Sequence, residues 1–314
     1  MRIDVHAHYF PVEYLDRIDR LCGSQNTLQI RKNKLSSDGP SGLDGHLRNM
    51  ELADVDMQIL SVSSQMPYSQ DETAAVDAAR HANDIYAAEV RKRPKQFAAF
   101  ACTPLPHIQA SIEEMRRALD ELGMAGVTAG TTVLGKSIAD PAFSDFFAEL
   151  DRRGAVLLLH PMGDNAGSRV IEASKLTWPI GAPLEDTVCL LQLMQADIPK
   201  RFPNVKIIVP HLGGFAAFLA VRLDRLRNQF LDPSVTAPSE QAKAFWYDSV
   251  NANPWALRCV SEVAGAERIL LGSDYPFWHD DGYVQSVEYV KEAGLSTEEA
   301  EGILDANAAQ LLGL

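Results

Sequence analysis

The chain has 314 residues, of which 46% are hydrophobic and 23% charged, and carries a formal net charge of -13. That length exceeds one small domain and fits a single large α/β barrel or two domains. The acidity argues against nucleic acid or an anionic membrane as partner, but leaves room for an anionic small substrate, because a local site can oppose the global field.

The chain opens with Ile3-Asp4-Val5-His6-Ala7-His8, a β-prone run ending in two histidines spaced i, i+2. Residues two apart on a strand point the same way, so His6 and His8 can converge on one metal ion. Asp4 and His6 stand where a signal peptide needs an apolar core, and no run approaches ~18 apolar residues, so a cytoplasmic protein without a membrane span is expected. The stretch from about Leu21 to Asp44 is rich in glycine, serine and charge, and reads as a lid loop after the first strand.

Strand candidates then recur at Met57–Ser63, Phe97–Thr103, Gly126–Thr131, Ala155–Pro161, Lys206–Leu212, Phe245–Val250 and Ile269–Tyr275, eight with the first. Val156-Leu157-Leu158-Leu159 and Ile207-Ile208-Val209 are unbroken apolar runs, as parallel strands covered on both faces require. Helical patterns lie between them. Glu72 to about Arg93 ends in three cations and Pro94, and Ile108–Leu122 is followed by Gly123 as a cap. Pro141–Arg153 starts after Asp140 and stops at Gly154. Leu184–Arg201, Phe215–Phe230, Pro254–Val263 and Asp281–Ala293 follow, and Thr297–Leu312 closes the chain after Ser296, a capping residue. A second polar excursion, Gly163–Leu184, leaves the fifth strand. Strands alternating with helices predict one (β/α)8 TIM barrel over residues 1–314, with both excursions as lid loops at the C-terminal face, where barrel enzymes build their sites. The four cysteines, Cys22, Cys102, Cys189 and Cys259, show no CxxC spacing and are expected to be free thiols in a reducing compartment.

His6 and His8 end the first strand, His160 the fifth, His211 the sixth and Asp274 the eighth. A barrel gathers such ends in one mouth. A lone histidine is more often structural, but five ligand-grade residues at strand ends suit a borderline divalent ion with open positions for substrate. His46, His81, His107 and His279 fall in helices or turns and read as structural or solvated. Asp248, ending the seventh strand, could orient a ligand or simply cap. Tyr9, Phe10, Trp178, Tyr275, Phe277 and Trp278 fall near the mouth and suit a flat, conjugated acid.

These stretches, with Leu159-His160-Pro161, Arg201-Phe202-Pro203-Asn204-Val205, His211-Leu212-Gly213-Gly214 and Leu271-Gly272-Ser273-Asp274-Tyr275-Pro276-Phe277, resemble the amidohydrolase superfamily from end to end. Within it they are most similar to the decarboxylase branch that includes the aminocarboxymuconate-semialdehyde, resorcylate and 6-methylsalicylate enzymes. The resemblance implies that His6, His8, His160 and Asp274 hold one metal, zinc in most members and manganese in some. It makes Asp274 and His211 the catalytic pair that handles protons. Many hydrolytic members carry a metal-bridging lysine at the end of the fourth strand; here none occurs before Lys136, which favours a single ion. Trp178 falls where the aminocarboxymuconate enzyme has a pocket tryptophan, and Arg222 resembles an arginine that reaches a substrate carboxylate across a homodimer interface. Phe277 and Phe10 join them as expected substrate contacts. That enzyme's second substrate arginine has no clear counterpart here; Arg31, Lys32 and Arg48 are the candidates. The expected reaction is decarboxylation of a small conjugated or aromatic carboxylic acid. Hydrolysis or hydration by a metal-activated water, acting on a lactone, ester, amide or C–C bond, uses the same residues and stays open.

Overall fold

The computed structural model describes residues 1–24 and 27–314. Eight strands pair in parallel and in chain order: β1 (Ile3–His8), β2 (Met57–Ser61), β3 (Phe97–Ala101), β4 (Gly126–Gly130), β5 (Val156–His160), β6 (Lys206–Val209), β7 (Trp246–Asp248) and β8 (Ile269–Leu270). The segment after β8 returns to β1, where Val5 N donates to Leu271 O at 2.9 Å, Asp274 N to His6 O at 2.8 Å and His8 N to Tyr275 O at 2.6 Å. The sheet therefore closes, and with helices around it the fold is a (β/α)8 barrel, as the alternation of patterns predicts.

Inside, Ile3, Val5, Ile59, Phe100, Leu158, Ile208 and Leu270 form an apolar plug, capped from below by Ala308 and Leu311 of the C-terminal helix. The register of β1 against β2 shifts between Asp4 and Ala7. Such a bulge changes which way successive side chains point. Val5 is thus part of the plug while His6 and His8 reach the mouth. Asp4, of the same parity, bonds Gln58 (2.9 Å) and Tyr283 (3.1 Å), the latter on the outer Asp281–Glu288 helix.

The helices depart from expectation in places. Leu21–Asp44 is not plain loop. It ends the Val12–Cys22 helix and carries a short Leu28–Lys32 helix, whose Ile30 packs with Phe10, Leu15 and Leu35. One apolar residue per turn was enough to bury in a sequence otherwise polar. Gln25 and Asn26 of this stretch lie outside the described residues. The run from Leu184 breaks after Gln195, where Asp197 takes φ 53°. The C-terminal run is interrupted by a wide turn at Gly302–Ala306, although its capping box at Ser296 and Glu299 forms as expected. Gly123 does not cap directly: the helix stops at Asp120, with Glu121 as cap.

Candidate metal centre and active site

β1 and the turn after β8 bring three expected residues into contact. His6 Nε2 lies 3.1 Å from His8 Nε2, and Asp274 Oδ1 lies 2.8 Å from His8 Nε2 and 3.4 Å from His6 Nε2. His160 at the end of β5 and His211 just past β6 face them, with ring centroids 5.1 and 5.4 Å from that of His6. One donor atom from each of His6, His160, His211 and Asp274 lies within 4.8 Å of all the others. This mutually close quartet holds His211 where the family resemblance put His8, while His8 touches two of its members. His46, His81, His107 and His279 stay outside it; His46 bonds Gln58 at 2.8 Å on the outer side of the barrel.

Backbone conformation is part of the arrangement. Asp274 (φ 60°) and His211 (φ 52°) are left-handed, which costs a non-glycine residue about 1–3 kcal/mol. Each is held there by its own amide: Asp274 N on His6 O, and His211 N on Asp248 Oδ1 at 2.8 Å.

Each imidazole is also oriented from behind. His6 Nδ1 donates to Asp248 Oδ2 at 2.7 Å, with both side chains fully buried. His211 Nδ1 lies 2.8 Å from Asp186 Oδ2, and His160 Nδ1 donates to Pro161 O at 2.8 Å. His160 Nε2 is consequently a lone pair, buried and without a partner among the described residues. A buried acceptor with no donor, aimed at other imidazoles and a carboxylate, fits a cation. The residues present therefore suit a divalent ion.

Protonation follows from burial and neighbours. Burial lowers His8 to about 4 and pushes His160 well below the ordinary histidine value, so both are neutral, as metal ligands must be. Burial also pulls on His211, but the Asp186 carboxylate outweighs it and raises the imidazole to about 9. His6 is raised for the same reason by Asp248, so cation binding would release its proton. Asp274 is buried, yet the His8 hydrogen bond and the surrounding imidazoles hold it below the usual carboxylate range.

A cavity of about 550 Å³ opens above, with His160, His211 and Asp274 at its base and Trp178, Phe277 and Trp278 on its walls. Two of the four expected substrate contacts, Trp178 and Phe277, thus line it. Phe10 does not: it is fully buried and stacks on His8 at 5.8 Å, supporting the imidazole from behind. Arg222 is exposed on the Ala216–Leu226 helix and does not line the cavity of its own chain. Arg31 is taken by Asp16 and Asp19, and Arg48 by Asp280.

Residues 3–314 match the family model described as Amidohydrolase. The chain belongs to the amidohydrolase family. It is 30% identical to 6-methylsalicylic acid decarboxylase of Penicillium expansum, over 98% of this chain and 94% of that protein. It is 29% identical to 2-amino-3-carboxymuconate-6-semialdehyde decarboxylase of Dictyostelium discoideum, over 100% and 92%. In fold it is similar to the crystal structure of a dihydroxybenzoic acid decarboxylase from Polaromonas sp. JS666 with bound manganese and the inhibitor 2-nitroresorcinol. That match has a TM-score of 0.82 at 23% identity, over 100% of this chain and 97% of the other.

Two residues of this amidohydrolase escaped sequence reasoning. Asp186 and Glu185 lie in the first turns of the Ala182–Gln195 helix, with no motif around them. Asp186 meets His211. Glu185 accepts from Met162 N (2.7 Å), Gly163 N (3.2 Å) and Asn165 N (2.8 Å), and so ties down the segment that leaves β5. Two adjacent acids in a mostly apolar helix were the available signal. Lys136 is exposed in a two-stranded ribbon, away from the cluster.

Proposed function

We propose that this amidohydrolase is a metal-dependent, non-oxidative decarboxylase of a small aromatic or conjugated carboxylic acid. The carrying observation is the ring of His6, His8, His160, His211 and Asp274, with the unpartnered His160 Nε2, beneath an aromatic-walled cavity. Its full-length relatives are decarboxylases. Residues 1–314 are read as one domain. His6, His8, His160 and Asp274 would hold a single divalent ion beside His211. An imidazole-rich donor set favours zinc, with manganese the alternative. Bound there, the ion supplies Lewis-acid stabilisation of the negative charge that develops as CO2 departs.

The chain's own residues supply the rest. The aromatic walls hold the ring over the base of the cavity. As the carbon–carboxylate bond breaks, its electron pair stays on carbon. His211, kept protonated by Asp186, delivers the proton that forms the new C–H bond, and Asp274 shares the proton traffic.

The test is metal analysis with a carboxylic-acid panel, on wild type and Asp274→Asn. A single ion per chain and CO2 release are expected. The variant should retain metal and lose on the order of 10²–10⁴-fold in turnover. Undiminished turnover in the variant removes the proton role, and hydrolysed product without CO2 moves the reading to a metal-dependent hydrolase or hydratase.

We also propose a homodimer. The Ala216–Leu226 helix exposes Phe218 (83%) and Val221 (65%) next to Arg222, a surface suited to a second copy, through which alone Arg222 could meet a substrate. A monomer by sedimentation at assay concentration would contradict this. No helix is long and apolar enough to cross a membrane among the described residues. With Cys102, Cys189 and Cys259 as free thiols, we place the protein in the cytoplasm.

A further inference from the structure

Behind the donor cluster stands a carboxylate that the proposed chemistry does not use. Asp4 is fully buried and accepts five hydrogen bonds. Its Oδ1 takes the amides of His6 at 3.1 Å and Ser273 at 3.0 Å. Its Oδ2 takes Ser273 Oγ at 2.6 Å, Gln58 Nε2 at 2.9 Å and Tyr283 Oη at 3.1 Å. Five bonds fill both oxygens, so Asp4 has no capacity left to hold an ion itself. The two amides on Oδ1 come from places where the sheet is irregular. The register of β1 against β2 shifts between Asp4 and Ala7, and His6 falls in that gap. Strand β8 ends at Leu270, and Ser273 lies in the irregular segment beyond it. Both amides adjoin the donor cluster: His6 is a member, and Ser273 precedes Asp274, with its left-handed backbone. Ser273 Oγ also accepts from Tyr275 N at 3.1 Å, so Asp274 is bracketed on both sides by contacts that lead to Asp4.

Resting on the metal-dependent reading, we propose that Asp4 is a positioning residue of the metal centre. By joining β1 to the segment after β8, it sets the separation of His6 from Asp274. These two donors come from opposite ends of the chain, yet His6 Nε2 and Asp274 Oδ1 stand 3.4 Å apart. Burying a carboxylate costs free energy that apolar packing along this seam would avoid. What the carboxylate adds is a fixed distance, because one oxygen that receives two amides holds them relative to each other. A donor set works only when its supporting bonds hold it in place. The Tyr283 bond differs in kind. It ties the same carboxylate to the outer Asp281–Glu288 helix, which supplies no donor.

That difference supplies the test. Wild type, Asp4→Asn, Ser273→Ala and Tyr283→Phe are each stripped of metal and titrated with Co2+. Affinity is read by competition with a chelator, donor geometry by the visible absorption of the bound Co2+, and stability by denaturant unfolding of the metal-free chain. Asp4→Asn and Ser273→Ala should each weaken Co2+ binding about 10–100-fold and shift the visible bands. Tyr283→Phe also removes a buried bond to Asp4. It should lower the unfolding midpoint, yet keep the affinity and the bands of wild type. Wild-type affinity and bands in Asp4→Asn and Ser273→Ala overturn the proposal. So does a loss in Tyr283→Phe as large as in the other two, which would make Asp4 a general support of the fold. Should Asp4→Asn fail to fold, Ser273→Ala set against Tyr283→Phe decides the matter. Wild-type protein that takes up no Co2+ overturns the metal-dependent reading beneath it.

Discussion

At the base of the site, His6, His8 and His160 are 0–3% exposed, and every ligand-grade imidazole there is oriented by a hydrogen bond to a carboxylate, a hydroxyl or a backbone carbonyl. At the rim, Trp178, Trp278 and Phe277 are 40–48% exposed, and Gln29 and Asn33 reach the cavity from a single short helix. The base is built from strand ends locked in the closed sheet, and the rim from segments that only cover it. Chemistry that needs a fixed donor geometry sits where buried bonds supply it. Selectivity sits where a side chain can change without moving the sheet.

Four substitutions sharpen or break this contrast. The largest effect is expected at Asp248, whose carboxylate spans His6 Nδ1 and His211 N: Asp248→Ala should weaken metal affinity about 10–100-fold, measured by competition with a chelator. Affinity equal to wild type would mean that the buried bonds do not set the donor positions. Asp186→Asn should keep the metal but move the alkaline limb of the rate–pH profile about 1–2 units lower, because His211 loses the partner that raises it to about 9. An unmoved limb removes His211 as proton donor. At the rim, Trp178→Ala should raise KM about 3–10-fold, the loss of part of an aromatic contact, with kcat within about twofold and metal content unchanged. A parallel fall in kcat would merge the two halves.

A different readout, stability, applies at Glu185, the tie between them. Burial lifts its carboxyl from 4.5 to about 7, so the folded chain holds a proton that the unfolded chain has released between those values. Stability must therefore fall as pH rises from 4.5 to 7. Glu185→Gln removes that contribution, and the wild-type advantage over it should shrink by on the order of 1–3 kcal/mol across the window, read by denaturant unfolding of metal-free protein. A pH-independent difference would show that this carboxyl titrates normally.

The sequence by itself determined the alternation of strands and helices and the residues at the strand ends, because both are local. A buried parallel strand must be an unbroken apolar run, and a ligand at its end must be a histidine or an acid. His6, His8, His160, His211 and Asp274 were legible for that reason. What only the tertiary structure decided is less local. A shift of register in β1 sends Asp4 outward and His6 inward, although both have the same parity. Asp186 reaches His211 from a helix 25 positions earlier in the chain, through a contact that no periodicity encodes. Phe10 turned from the mouth to the back of His8, and Ile30 fastened a segment that looked like loop. Pattern fixes what each residue can be; which neighbour it meets depends on closure of the sheet, since partners far apart in sequence become adjacent only then.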